Sequence, residues 1–350
     1  MSGGSWDPTS LPVRPGLYLN FKSAAVAQIS GGARGTVAIP LKAFAGGSAT
    51  VKTFYTVTNE TDAAALFGAA NIVSIKYALQ GGAKEVLVYT LPPSATATDY
   101  ADARTAFDTR PFNVHVFDGE VAAAIQDSML TWVAANRTAG KHFLAVFGAA
   151  AAADDQTPAT GNARSVRLLD NYAVNLTVGA IINGTAVSSG VYAPYLAGLI
   201  AGTPINRSIT YKVPPVSDVN KRYTNSEVVA ALAAGSVVLV NDGEKVRVEQ
   251  GLTTSVKKIR SMRARQAISN DITKTAADSY IGQINNDADG QAALISAVKA
   301  YLETLEGSGV LSDISVGLDP QYKSVGDSVY LLISYVELDS MERIFLTISV

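Results

Sequence analysis

Between Lys84 and Val240, short apolar runs alternate with segments of helical periodicity, and this rhythm constrains the fold most strongly. Within each apolar run, hydrophobic residues do not alternate with polar ones, so both faces of the strand must be covered. The runs are EVLVYTL, FNVHVFD, FLAVFGA, AVNLTVGAII and SVVLV. Strands of this kind separated by helices are typical of a parallel sheet with helices on both faces. The sequence therefore predicts an α/β domain over residues 84–240, with the alanine-rich stretch 149–162 as a surface loop.

Two further units are predicted ahead of this domain. Residues 1–22 are polar at first, with several prolines and glycines, and indicate an extended arm. The arm ends in GLYLNFKS, where Leu17, Leu19 and Phe21 share one face of a strand. Such a strand either folds back as an edge strand or pairs with another chain. Residues 23–83 contain short β-like runs separated by glycine pairs, which predicts a small β-rich, β-sandwich-like domain.

Charge and cysteine content exclude several classes of function. Lys and Arg total 28 and Asp and Glu total 30, so the overall charge gives no reason to expect binding to nucleic acid or to an anionic membrane surface. The absence of cysteine removes disulfides, thiolate catalysis and cysteine-ligated metals. No apolar run at the N-terminus resembles a signal peptide, and no stretch is long enough to span a membrane. We expect neither cofactor nor metal.

An α/β domain of this size invites comparison with a hydrolase, which needs a nucleophile, a histidine and an orienting acid. The histidines His115 and His142 lie in or beside apolar strands, and no Gly-x-Ser-x-Gly elbow is present. Asp118 follows a strand at the edge where α/β proteins bind ligands. It can equally cap the helix predicted from Glu120, and this is the interpretation we favour. A hydrolase-like enzyme with an unrecognised active site remains the alternative function.

One stretch imitates a calcium-binding loop. Asn285, Asp287 and Asp289 occupy alternate positions before Gly290, but the twelfth position holds Ser296 instead of glutamate. The bidentate ligand is therefore missing. Asp287 or Asp289 is predicted to cap the following helix.

A basic run in the C-terminal half contains five cations within nine residues and no acid. Its members are Lys257, Lys258, Arg260, Arg263 and Arg265. Two interpretations stay open: a solvated helix face, or an electrostatic contact with an acidic partner. Nucleic acid is disfavoured because no aromatic residue is interleaved.

The last part of the chain is predicted to be β. Residues 329–338 form one strand and 343–350 another, joined by a four-residue link. In the last strand Ile344, Leu346 and Ile348 share one face, so the strand needs a partner. It either forms a local hairpin across the link or is donated to a neighbouring chain as a C-terminal arm, residues 339–350.

The segment from Asn225 to Leu311 resembles the C-terminal half of contractile phage tail sheath proteins. The most specific piece is SYIGQINND followed by an alanine-rich amphipathic helix. The resemblance extends more weakly from PGLY near the start to RIFLTISV at the end. It implies a subtilisin-like α/β domain without catalytic residues and an α+β sheath domain at 241–338. It also implies terminal strand arms that contact neighbouring subunits through Leu17, Leu19, Phe21, Ile344, Leu346 and Ile348.

The same resemblance implies a mechanical function in a phage tail or a tailocin. Subunits would polymerise with one another as a helical stack of hexameric rings around a tail tube. Contraction on a signal from the baseplate would then drive the tube through a cell envelope. The implied partners are further copies of the chain, the tube protein, and the baseplate and tail-terminator proteins. The basic run would face the tube or a neighbouring subunit. Synthesis in the bacterial host cytoplasm is implied as well.

Overall fold

The computed structural model describes residues 3–4, 17–18, 28–29 and 34–349. Within these ranges the helices are α1 Glu60–Phe67, α2 Val73–Gly81, α3 Ala97–Phe107, α4 Ala123–Thr138, α5 Pro158–Arg167, α6 Ser189–Gly202, α7 Asn225–Ala233, α8 Ile259–Ser279 and α9 Ala288–Gly307. The strands are β1 Gly3–Gly4, β2 Leu17–Tyr18, β3 Thr36–Leu41, β4 Phe54–Val57, β5 Glu85–Thr90, β6 Val114–Val116, β7 Leu144–Phe147, β8 Ala173–Leu176, β9 Ala180–Ile182, β10 Thr185–Val187, β11 Asp218–Val219, β12 Ser236–Val237, β13 Leu239–Asn241, β14 Val246–Val248, β15 Leu311–Leu318 and β16 Leu331–Glu337. Short 3-10 helices cover Ala69–Asn71 and Ala152–Gln156.

A seven-stranded sheet forms the centre of the larger part of the chain. Its strands lie in the order β12-β8-β7-β6-β3-β5-β4. All neighbours are parallel except β4, which runs antiparallel to β5 at one edge. The main hydrophobic core packs on this sheet. The parallel sheet predicted from the non-alternating apolar runs is therefore confirmed.

The predicted separate β-sandwich within residues 23–83 is wrong. Strand β3 lies inside the seven-stranded sheet, where it pairs with β5 on one side and β6 on the other, and β4 completes the edge beside β5. All six residues of β3 are buried, so this strand needs neighbours on both sides and cover on both faces. The glycine pairs around β3 are typical of short strands in a small β domain, and the wrong prediction rested on that pattern.

Two helices that pack against the sheet approach each other unusually closely. Helices α2 and α6 touch along most of their length. A Cβ at Gly198 in α6 would lie 2.0 Å from the carbonyl oxygen of Ala78, and one at Gly81 would lie 2.2 Å from that of Tyr195. Glycine at both positions is required because no side chain fits between the two backbones.

A second, smaller core joins helices α8 and α9 to the start of β15. It contains Ile268 of α8, Tyr301 and Leu302 of α9, and Ile29 from the N-terminal part of the chain. Helix α8 also connects this core to the sheet domain. Gln266 donates a hydrogen bond of 2.9 Å to the carbonyl of Asn113, just before β6. The two parts of the chain are thus joined through α8.

Beyond α9 the chain forms a two-stranded antiparallel ribbon of β15 and β16, with a register shift between Ser312 and Ser315. The predicted strand 329–338 is confirmed as β16. Two small sheets, β10-β9-β11 and β13-β14, complete the described structure.

Candidate functional site

The segment after Glu342 carries large apolar side chains that the rest of the chain does not cover. Ile344 is 67% exposed and Leu346 and Ile348 are each 81% exposed. No described residue is hydrogen-bonded to the backbone of 343–349, and β16 is already paired with β15. The local hairpin is therefore wrong. An apolar segment with unpaired backbone groups is suited to pairing with a further strand.

The ribbon of β15 and β16 has strand edges that can accept a further strand. Each strand pairs only with the other within the described part of the chain, so the outer edge of each presents free N–H and C=O groups. A two-stranded ribbon is marginal by itself and gains stability from further strands. Such edges accept an extended segment from another molecule by strand addition.

The N-terminal prediction is only partly covered. Leu17 begins β2, which pairs in parallel with β1. Leu19 and Phe21 lie outside the described residues. A contact of these three residues with a neighbouring subunit stays a prediction.

Residues 337–342, just before the exposed segment, are held in place by side chains of the predicted basic run. Lys258 pairs with Glu342, Arg265 pairs with Glu337, and a guanidinium nitrogen of Arg260 donates to Ser340 Oγ at 3.1 Å. Three successive tethers from α8 and its N-cap residue therefore hold residues 337–342 on the body.

Glu342 is the best held of these residues. Its side chain is 8% exposed. Oε1 accepts hydrogen bonds from Thr210 Oγ1 at 2.7 Å and Ser208 Oγ at 3.1 Å, and Oε2 accepts from Gln250 Nε2 at 2.7 Å and from Lys258. Burial alone would raise the pKa of Glu342, but the hydrogen bonds from Lys258, Gln250 and Thr210 outweigh it and hold the pKa below its usual value.

For two members of the basic run, the solvated-face interpretation is wrong. Arg260 is 8% and Arg263 7% exposed. Arg260 donates to the carbonyl of Gly309 at 2.7 Å, while Arg263 points at the carbonyl of Ala201 near the C-terminal end of α6, a favourable place for a cation. Burial lowers the pKa of Arg263 to about 10, so it remains charged at neutral pH. Of the five cations, only Lys257 is exposed without a carboxylate partner among the described residues.

Asp118 does not have the predicted role of a helix cap. Helix α4 begins at Ala123, and Ala122 at its N-cap makes no side-chain hydrogen bond. Instead, Asp118 Oδ2 accepts from the backbone N–H of Lys42 at 2.9 Å and so joins the ends of β3 and β6. Burial raises the pKa of Asp118.

A buried polar cluster at the same edge of the sheet was missed by the sequence analysis. Asp155 is 1% exposed and accepts from Ser189 Oγ and the Ser189 backbone N–H, each at 2.7 Å, and from Asn220 Nδ2 at 2.9 Å. The surface loop predicted for 149–162 is wrong, because a 3-10 helix and the start of α5 occupy it. Asp155 and Ser189 are 34 residues apart, and no local pattern in the sequence links them.

This cluster has a structural role. Ser189 is fully buried, its hydroxyl donates to Asp155, and the same oxygen accepts from the backbone N–H of Ala149 at 2.7 Å. A nucleophile must reach substrate and transfer its proton to a base. Ser189 is enclosed and bonded to a carboxylate, with no histidine beside it among its hydrogen-bond partners in the described structure.

Neither histidine is placed for catalysis. His115 is 1% exposed, and its ring lies 5.6 Å from that of Phe107, 5.4 Å from Phe117 and 5.9 Å from Trp132. Burial, with a smaller contribution from Arg104, lowers the pKa of His115 to about 3. His142 Nδ1 lies 3.0 Å from the hydroxyl of Tyr172. The two nitrogens of the His115 ring are buried without a hydrogen-bond partner among the described residues, whereas the His142 ring is held by Tyr172.

A cavity of about 520 Å³ lies between α8 and the segments that precede β6 and β7. It is therefore at the amino edge of the sheet, away from the carboxyl edge where α/β proteins bind ligands. Some of its polar lining groups are already engaged: Asn113 Oδ1 accepts from the backbone of Gly35 and Thr36, and Arg34 is paired with Asp271.

The calcium-like stretch caps a helix. Asp287 is the N-cap of α9, and its carboxylate accepts from the backbone N–H of Gly290 at 2.8 Å. The predicted cap is confirmed for Asp287. In the described ranges, no three His, Asp or Glu side chains are grouped so as to hold a metal ion. Nor does any helix in those ranges combine the length and hydrophobicity needed to cross a bilayer.

Comparisons with known proteins match nearly the whole described chain to three domain families. Residues 34–91 match the tail sheath protein Gp18 domain III N-terminal region, residues 94–254 the phage tail sheath protein central domain, and residues 253–350 the phage tail sheath C-terminal domain. The tail sheath protein of Clostridium phage phiCD119 is 24% identical over 324 residues, which cover 87% of this chain and 83% of that protein.

Solved structures show the same fold. The sheath tail protein of Desulfitobacterium hafniense superposes with a TM-score of 0.70 at 18% identity, covering 92% of this chain and all of that one. The helical sheath of the anti-feeding prophage in its contracted state gives a TM-score of 0.73 at 15% identity, with 97% of this chain and 99% of that chain covered.

Proposed function

The chain belongs to the phage tail sheath family, and we propose that it polymerises around a tail tube and contracts to drive that tube through a cell envelope. The supporting observation is the exposed, unpaired segment 343–349 beside a ribbon with two open edges. A subunit that both lacks a strand partner and offers strand edges can form a chain of identical links with other copies.

The two parts of the fold take different roles in this proposal. The sheet domain is a subtilisin-like unit without catalytic residues and lies on the outside. The residues from 241 to 338, with the arms attached, form the part nearest the tube. The Ile29 side chain and the tethered residues 337–342 support this division, since both contact the α8–α9 part of the chain.

The work is mechanical in this proposal, and no chemical step is catalysed. Subunits assemble in an extended helix that is metastable, and a signal from the baseplate releases them into a wider, shorter one. Strand links keep neighbours connected while the rigid bodies rotate. A tail-terminator protein closes the far end, and the assembly is part of a phage tail or tailocin made in the host cytoplasm. Lys257 is the exposed cation left to contact the tube or a neighbour.

Electron microscopy of the purified chain tests this proposal. Long hollow tubes, or sheaths on co-expressed tail tubes, are expected. Monodisperse globules that hydrolyse an ester or peptide substrate would instead support the hydrolase alternative.

A further inference from the structure

Glu342 is a buried side chain between exposed neighbours. Met341, just before it, is 83% exposed, and Ile344, two residues after it, is 67% exposed. Between them the Glu342 side chain is almost fully buried. A single enclosed carboxylate in an otherwise exposed segment needs several hydrogen bonds to offset its desolvation.

Those hydrogen bonds come from three separate parts of the chain. Thr210 lies after α6, Gln250 after β14, and Lys258 at the start of α8. The group of donors that holds the Glu342 carboxylate therefore exists only when the sheet domain and α8 are correctly assembled. Thr210 is itself fixed, because its hydroxyl accepts from the backbone N–H of Gly251 at 3.1 Å.

We propose that Glu342 is an anchor that fixes where the C-terminal arm leaves the subunit, and so sets the reach of the link between subunits. This inference rests on the proposed function. Leu346 is four residues beyond Glu342, which limits its distance from the anchor to about 14 Å. Without the anchor, the nearest attachment is the hydrogen bond from Arg260 to Ser340 Oγ at 3.1 Å. The reach to Leu346 would then be about 21 Å, half as long again.

A short, fixed link matters for a contracting polymer. An arm held at Glu342 transmits the movement of one subunit to the next with little slack, whereas a longer arm absorbs part of that movement. In this proposal the ion pair between Glu342 and Lys258 persists during contraction. The Glu342 carboxylate is buried, and buried pairs are little screened by salt.

Backbone NMR relaxation of the unassembled subunit and electron microscopy of assembled tubes test the anchor together. Glu342→Gln places an amide donor against Lys258 and Gln250, which are also donors. We expect the backbone order parameters of residues 339–342 to fall from a higher wild-type value to below about 0.6, the range of flexible segments. We also expect weaker helical layer lines in the Fourier transforms of the tube images. Lys258→Met should have the same effects, and it provides the test if Glu342→Gln does not fold.

The matched control is Glu337→Gln. It also removes a carboxylate paired with a cation of α8, but Glu337 lies within β16, where the backbone ladder holds it. Order parameters and layer lines should stay as in the wild type. Unchanged order parameters in both Glu342→Gln and Lys258→Met, or lower order parameters with tubes of normal order, would overturn the anchor. If the wild type forms no tubes, the proposed function fails, and the relaxation data still decide whether Glu342 holds this segment.

Discussion

Arg34 and Asp271 form an ion pair 2.5 Å long between the chain entering the main sheet and the middle of α8. The Asp271 side chain is 6% exposed, and it also accepts a 2.5 Å hydrogen bond from the hydroxyl of Tyr301. The pair thus joins the N-terminal part of the chain to both helices of the smaller core.

Arg34→Met should destabilise the subunit. It leaves the buried Asp271 carboxylate without its cation, although Tyr301 still donates to it. We expect the free energy of unfolding to fall by about 1–3 kcal/mol, measured by urea denaturation. Lys299→Met is the control, because its 3.9 Å pair with Glu303 is exposed on both sides and should change stability little. Equal effects of the two substitutions would contradict a buried role for the Arg34 pair.

His115 should make the subunit less stable in mild acid. Its pKa is about 3 in the fold and about 6.5 in the unfolded chain. As the pH falls below about 6.5, His115 becomes protonated in the unfolded state but stays neutral in the folded state. The stability present above this pH is therefore lost progressively towards pH 3. Between pH 7 and pH 5 the loss amounts to about 2 kcal/mol.

His115→Leu should remove this part of the pH dependence, as measured by denaturation at pH 7 and pH 5. His142→Gln keeps His115 and should retain the steep loss. A His115→Leu variant that loses as much stability in acid as the wild type would show that the ring is not buried in its neutral form.

Ser189→Ala should affect folding and not catalysis. The substitution removes one of the hydrogen bonds to the buried Asp155 carboxylate, which should cost about 1–3 kcal/mol of stability. Ester and peptide substrate panels should show no turnover for the wild type. Turnover that Ser189→Ala, His115→Leu or His142→Gln abolishes would overturn the structural interpretation of the sheet domain.

Lys257→Glu tests the exposed member of the basic run that has no carboxylate partner among the described residues. If Lys257 contacts an acidic tube or neighbour, charge reversal should weaken assembly on tubes, and wild-type assembly should loosen with salt. Lys299→Glu, on the exposed side of α9, is the control and should assemble normally. If assembly is insensitive to salt and Lys257→Glu assembles normally, the Lys257 side chain faces solvent and contacts neither the tube nor a neighbour.

Local patterns predicted the parts of the fold that depend on neighbouring residues. The non-alternating run around Val88 predicted a strand covered on both faces, and the sheet confirms it. The apolar face of Ile344, Leu346 and Ile348 predicted either a local hairpin or a donated strand, and the donated strand stays a prediction. Patterns did not reveal pairings between distant residues. Strand β3 was assigned to a separate domain because its neighbours β5 and β6 lie far along the chain.

The basic run was misinterpreted for the same physical reason. Glu342, the partner of Lys258, lies 84 residues further on. Composition within nine residues shows a cluster of cations, but it does not show that acids from the end of the chain neutralise two of them. The buried Asp155 cluster likewise forms only when the 3-10 helix Ala152–Gln156, the start of α6 and the segment around Asn220 come together.

Leu346→Pro tests most directly whether the C-terminal strand joins subunits. Proline removes a backbone donor and breaks a strand ladder wherever it forms. Residues 343–349 make no backbone hydrogen bond to any described residue, so the melting temperature of the unassembled subunit should match the wild type. Polymerisation, followed by electron microscopy, should fail. Leu346→Val keeps an apolar strand and should still form tubes. A lower melting temperature for Leu346→Pro, or tubes that still form, would contradict the donated strand.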